Sequence, residues 1–277
     1  MRASTADVVI CGAGIAGISA AYHLSRLEPG QRVVLLDERP PLSLTSDKST
    51  ECYRNWWPDA SMIGLVDRSI DWLERWAEET GNAFGLNRRG YLYASLHDDG
   101  AQALLQRAEA IAALGAGALR QALAAPDESF LASAVHPEAA PDRGADYSAD
   151  PAVIRTLYPY LSPETRAVLY IRRAGWLRAH ELGTWLLAQA EQAGVIRLSG
   201  RLSRVEMAGG AVRAVGIETS HGFQRVATPT LVNAAGPLAG EVSALAGVDL
   251  PLKWELHQKA AIRDSLNVRE PCSDCWR

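Results

Sequence analysis

Cysteine is scarce in this chain, with four in 277 residues, at Cys11, Cys52, Cys272 and Cys275. So few cannot form a disulfide scaffold, and a chain of this length can bury a large core without one. Cys272 and Cys275 make one C-x-x-C with no second pair at zinc spacing, so no metal site is expected. No apolar run approaches the roughly 20 residues of a membrane span, so none is expected. Neither sign of charge dominates: 28 Lys and Arg stand against 32 Asp and Glu, a formal net charge of -4. That balance leaves no basic face for nucleic acid and no polybasic membrane anchor. The N-terminus leads into a strand pattern and not into a signal-peptide cleavage region, so the expected location is cytoplasmic.

What the chain does have is concentrated in its first 39 residues. Val8-Val9-Ile10-Cys11 reads as a buried strand, Gly12-Ala13-Gly14-Ile15-Ala16-Gly17 as a G-x-G-x-x-G turn, and the alanine-rich stretch after it as a helix. Val33 to Leu36 then reads as a second strand, closed by Asp37. Three glycines alone are weak evidence. Strand, turn, helix, strand and acid in register make a dinucleotide-binding βαβ unit, with the acid about twenty residues past the last glycine. Gly12 permits the tight turn, Gly14 lets backbone approach a pyrophosphate, and Gly17 lets the helix lie against the sheet. The N–H groups around Ile15 and Ala16 would face the diphosphate. Asp37 would accept the ribose hydroxyls and repel a 2′-phosphate, which argues against NADP. The competing reading is an α/β domain whose glycines serve packing alone.

The rest of the chain alternates functional and structural blocks. Residues 40 to 60 form a long polar and aromatic loop directly after the nucleotide unit, a length uncommon without a purpose. Met62, Leu65, Val66, Ile70, Leu73 and Trp76 recur at helical spacing, a core stripe. Tyr91 to Ala94 reads as a short strand and 101 to 114 as a helix; the Ala-rich, Pro-interrupted stretch from about 116 to 170 gives no strand pattern that can be placed. A helix is expected from about Ala179 to Gln192, stopped at Gly194. Arg201–Met207, Ala211–Thr219 and Phe223–Ala227 read as a three-stranded meander with turns at Gly209-Gly210 and His221-Gly222. Thr230 to Asn233 is a strand running into the small residues Ala234, Ala235 and Gly236, where a ligand could lie against backbone.

In that order, the glycine unit, the Ser/Thr-rich loop with Arg54, Gly175-Trp176-Leu177, the meander and Asn233-Ala234-Ala235-Gly236 resemble the D-amino-acid oxidase-like FAD oxidoreductases. That family includes glycine oxidase, sarcosine oxidase and dimethylglycine dehydrogenase, and the resemblance covers most of residues 6 to 262. It implies FAD as cofactor and oxidation of a C–N bond in an amine or N-substituted amino acid, with hydride transfer to flavin N5 and hydrolysis of the resulting imine. It places Gly12, Gly14, Ile15, Ala16 and Gly17 at the pyrophosphate and Asp37 at the ribose. It also places Lys48, Ser49 and Thr50 on the ribityl phosphate side, Val205 backbone at the adenine, and Ala235 and Gly236 close to the cofactor. Arg54 could pair a substrate carboxylate with its planar fork of donors, or hold the loop or the flavin. His257, with Lys259 on the same face of a strand candidate Trp254–Ile262, could point into a cleft or lie on a solvated edge.

The implied fold is α/β, a Rossmann-like FAD-binding domain with a three-stranded β-meander plus a partial α+β substrate domain. The expected division is 1–90 with 175–250 for the cofactor domain and 91–174 with 251–277 for an incomplete substrate or cap domain. The family pattern continues beyond Ile262, whereas the tail Glu270 to Arg277 carries neither strand alternation nor a glycine loop. A shortened chain, or one part of a split enzyme needing a partner chain, is therefore expected. The alternative function is a non-catalytic dinucleotide-binding fragment.

Overall fold

A computed structural model of the chain describes residues 4–122, 128, 130 and 143–256. In chain order the strands are β1 (Val8–Cys11), β2 (Val33–Asp37), β3 (Cys52–Arg54), β4 (Tyr91–Ser95), β5 (Leu119–Ala122), β6 (Ala145–Ser148) and β7 (Ala167–Ile171). They continue with β8 (Ala174–Trp176), β9 (Ile196–Ser199), β10 (Arg201–Ala208), β11 (Ala211–Thr219), β12 (Gly222–Ala227) and β13 (Thr230–Asn233). The helices are α1 (Ile15–Leu27), α2 (Ala60–Thr80), α3 (Asp98–Ile111), α4 (Pro151–Leu157), α5 (Ala179–Gln192) and α6 (Ala239–Ala244). The chain forms two compact units, passing from the first to the second between Ser49 and Thr50 and back between Arg178 and Ala179.

The first unit is built on a parallel sheet in the order β13-β1-β2-β9. Val8 pairs in register with Val33 on one side and Thr230 on the other. Both faces of this sheet are covered, which is why β1 and β2 read as unbroken apolar runs. Val9, Cys11, Val34 and Leu36 join a core with Leu202, Val205, Val215, Ile217 and Val226 of the meander. The alternate residues Val8, Ile10, Val33 and Leu35, all buried, point to the opposite face, against which α1 packs. Each such side chain taken from water contributes about 1.5–3 kcal/mol. Helix α5 packs along α1, with the Tyr22 and Trp185 rings 5.9 Å apart.

The meander is the antiparallel sheet β10-β11-β12. Gly209 and Gly210 both have positive φ, 59° and 76°, as the two central residues of a type I′ hairpin require.

The second unit holds an antiparallel pair, β3 with β8, and a four-stranded mixed sheet in the order β4-β7-β6-β5. Trp56, Ile63, Ile111, Tyr147, Leu169 and Ile171 lie in its main core. Asp146, 1% exposed, takes Arg120 in a bidentate pair and also meets Arg172. Residues 50–90 pack in this unit, whereas the sequence division puts them with the first. The reason is local: β3 pairs with β8, and α2 runs against the turn at Ala112–Ala116. Strands β5, β6 and β7 fall in the stretch where no strand pattern was legible. Residues 254–256 of the strand candidate Trp254–Ile262 carry no secondary structure, and its remainder lies outside the described residues.

Candidate functional site

The first unit contains a cleft of about 460 Å³ whose lining comes entirely from its own residues. Gly12, Gly14, Ile15 and Ala16 form one wall, Asp37, Glu38 and Arg39 another, and Thr45 and Ser46 a third. Gly200, Arg201, Leu202 and Ser203 line it from the start of β10, and Ala234, Ala235 and Gly236 from the end of β13. Val242 and Leu245 add apolar cover.

The glycine turn is packed so tightly that two of its members admit no side chain. Gly12 has φ +111°, and a Cβ there would stand 2.3 Å from Ala234 O. A Cβ on Gly17 would stand 1.8 Å from Gly12 O. Gly14 differs: the nearest atom to an added Cβ is Ser46 Oγ at 3.2 Å, so its absent side chain leaves cleft space open. Ile18 N–H makes the first intrahelical bond, to Gly14 O at 3.0 Å. The amides of Ile15, Ala16 and Gly17 precede it and have no intrahelical acceptor. Ile15 N–H donates to Ser46 Oγ at 2.9 Å.

Asp37 Oδ2 accepts the Ala13 N–H at 2.7 Å, and Oδ1 accepts the Arg39 N–H at 2.9 Å. A carboxylate has about four lone-pair positions, so both oxygens keep capacity toward the cleft. Cys11 lies beneath the same turn. Burial pushes its thiol up to about 12, with the Asp37 and Glu38 carboxylates adding to the shift, so it has no thiolate character there.

The cleft gathers Gly12, Gly14, Ile15, Ala16, Asp37, Ala235 and Gly236, with Gly17 packed directly behind. It does not gather the other loop residues. Lys48 is exposed and paired with Asp47, Ser49 is outside the lining, and Thr50 belongs to the second unit; Thr45 and Ser46 occupy the loop's place in the lining. Val205, expected at the adenine through its backbone, pairs with Val215 and is not in the lining, while Arg201, Leu202 and Ser203 are; the Leu202 and Val205 side chains share one core. β10 is the edge strand of its sheet and its ladder breaks between Leu202 and Arg204, so backbone groups on its outer side are not used by the ladder. The small loop hydroxyls could have pointed to Ser46, but nothing in the sequence marks Leu202 over Val205.

In the second unit, Arg54 lies over two rings, 4.6 Å from the Trp57 centroid and 5.0 Å from Tyr91. Its Nε is buried without a hydrogen-bond partner, and no carboxylate of the described residues forms an ion pair with it. Burial pushes the nearby Tyr93 hydroxyl up, opposed by the Arg54 charge. His257 lies outside the described residues. Among those described, no group of three or more His, Cys, Asp or Glu is placed to hold a metal, and no helix is long and apolar enough to cross a membrane.

Comparison with known proteins identifies the family. The family described as FAD dependent oxidoreductase (DAO) matches residues 7–267. The mitochondrial sarcosine dehydrogenase of Mus musculus is 29% identical over 259 residues, 90% of this chain and 24% of its own length. The chain thus spans about a quarter of that curated relative. Among solved structures, L-proline dehydrogenase from P. horikoshii superposes with a TM-score of 0.69 at 19% identity, covering 89% of this chain and 57% of that one. Glycine oxidase from Geobacillus kaustophilus gives 0.69 at 17% identity, with 89% and 60% covered.

Proposed function

The chain belongs to the FAD dependent oxidoreductase family, and from that premise we propose that its first unit binds FAD and that it serves in oxidising a C–N bond of an amine or amino acid. One observation carries the reading: a cleft within a single unit brings the glycine turn, the amides at the start of α1, Asp37 and the edge of β10 around one volume. In this reading the amide of Ala16 and the Ser46 hydroxyl face the diphosphate, where the dipole of α1 favours negative charge. Gly14 gives the diphosphate its approach. Asp37 receives the ribose hydroxyls, and backbone at Arg201 to Ser203 meets the adenine edge. Ala235 and Gly236 lie against the cofactor.

Arg54, held over Trp57 and Tyr91 with no carboxylate of its own, is the candidate for a substrate carboxylate. Bound FAD would supply a two-electron acceptor, taking hydride at flavin N5. Sarcosine, glycine and L-proline are the substrates in the names of similar proteins, so a small α-amino or N-alkyl amino acid is the substrate class proposed. The exposed apolar side chains of Leu252, Trp254 and Leu256 support a role for further polypeptide, on the same or a partner chain.

The test is the visible spectrum of the purified chain, followed by titration with FAD and with NAD. Flavin bands at near-equimolar occupancy, with FAD preferred, are expected. Asp37→Ala should weaken FAD binding about tenfold or more, the scale of a lost hydrogen bond to a charged group. A colourless chain with no FAD affinity refutes the reading.

A further inference from the structure

Strand β13 ends at Asn233, whose amide group uses all of its bonding types beyond the strand end. Nδ2 donates to Ala239 O at 2.7 Å and to Ser243 Oγ at 2.9 Å, and Oδ1 accepts the Ala235 N–H at 3.2 Å. Asn233 does not line the cleft, but everything it grips does or is joined to what does. Ala235 is in the lining, and α6 contributes Glu241 and Val242, with Leu245 just beyond its end.

Helix α6 is held from outside itself, by the burial of Val242 in the core and by this grip. It has six residues and its N-cap, Leu238, makes no side-chain cap bond, whereas isolated helices of that length do not persist in water. The two donated bonds land on its first residue and on the turn above, fixing both its position and its rotation. The accepted bond fixes the other side of the wall. With the Ala234 N–H given to Cys11 O at 2.8 Å and the Ala235 N–H given to Asn233, the turn presents Gly236, at φ +55°, to the cleft.

We propose that Asn233 is a positioning residue of the cofactor cleft, joining the Ala235–Gly236 turn and α6 into one preformed wall; this rests on the FAD reading above. A carboxamide meets all three partners at once, because Ala239 O requires a donor, the Ala235 N–H requires an acceptor, and the Ser243 hydroxyl can take either part. An aspartate at 233 would keep the Ala235 bond but set a carboxylate oxygen against Ala239 O. A leucine would keep the volume and lose all three bonds.

The test compares Asn233→Leu, Asn233→Asp and Ser243→Ala with the unaltered chain. FAD affinity is read by flavin fluorescence, and amide hydrogen exchange is read in the absence of FAD. Expected are a Kd for FAD raised about tenfold or more in both Asn233 variants and about threefold in Ser243→Ala, from one to three lost hydrogen bonds. Exchange should speed up over residues 237–245 while β1, β2 and the meander keep their protection. Either Asn233 variant binding FAD within twofold of the unaltered chain overturns the proposal. So does exchange that is unchanged over 237–245, or that accelerates evenly through the unit. If the unaltered chain binds no FAD, the cofactor reading fails by itself, and the exchange comparison still decides whether Asn233 holds the wall.

Discussion

Replacing Gly17 by alanine should damage both the fold and the cofactor cleft, although helix propensity alone favours the change. A Cβ there meets Gly12 O at 1.8 Å and Gly12 C at 3.0 Å, whereas a relaxed C···O contact is about 3.3 Å or more. About 1.5 Å must be recovered, and both obstructing atoms are backbone, so no rotamer change relieves the contact. Overpacking of that kind falls at the upper end of about 1–3 kcal/mol. The gain from replacing glycine in a helix is about 0.8–1.0 kcal/mol. The net expectation is a loss of about 2 kcal/mol, or a fall in Tm of about 4–8 °C for a domain of this size. FAD binding should suffer as well, because relief requires moving the Gly12–Gly14 turn that faces the cleft. Gly64→Ala is the control: Gly64 lies in α2, with open space around an added Cβ, so the same substitution should stabilise by about 0.5–1 kcal/mol. Thermal unfolding by circular dichroism with FAD titration of each variant measures both effects. A Gly17→Ala chain with undiminished Tm and unchanged FAD affinity refutes the packing argument.

Three further outcomes follow from the same geometry. In FAD-loaded protein, Arg54→Met should raise KM for carboxylate-bearing substrates about tenfold or more, the scale of a lost charge-assisted bond, while amines without a carboxylate are little affected; equal effects on both would assign Arg54 to the loop. At pH 8, iodoacetamide with peptide mapping should modify exposed Cys52 and spare Cys11, whose buried thiol is pushed up to about 12, until the chain is unfolded; equal labelling would contradict its burial. Trp254→Glu with Leu256→Glu should reduce binding of an apolar dye and leave FAD affinity intact, since the two side chains are 73% and 86% exposed and neither lines the cleft; unchanged dye binding would place the apolar surface elsewhere.

The βαβ unit was legible because its rules are local. Strand periodicity, glycine at positions of close approach and an acid at the strand end all act within 37 residues, and Gly12, Gly17 and Asp37 sit as that pattern requires. The meander was legible for the same reason, since its hairpins close over two-residue turns. Elsewhere the signal faded where contacts are remote. β5 pairs with β6 in parallel across an intervening stretch, and a four-residue strand such as Ala145–Ser148 is buried throughout, so it shows no alternation. In the loop after Asp37, composition points to several hydroxyls and a lysine, but which one turns toward α1 depends on the path of the chain; it is Ser46, thirty-one positions from the amide it caps.

By itself, then, the sequence determined the nucleotide-binding unit, the order of its elements and the family resemblance, because each rests on neighbours in the chain. Tertiary structure decided what depends on distant pieces meeting. It set Arg201, Leu202 and Ser203 in the cleft lining, laid Arg54 over Trp57 and Tyr91, and brought the Asn233 amide beneath α6. Hydrogen bonds and packing of that kind have no period or spacing in the chain, so they become visible only after the backbone has folded.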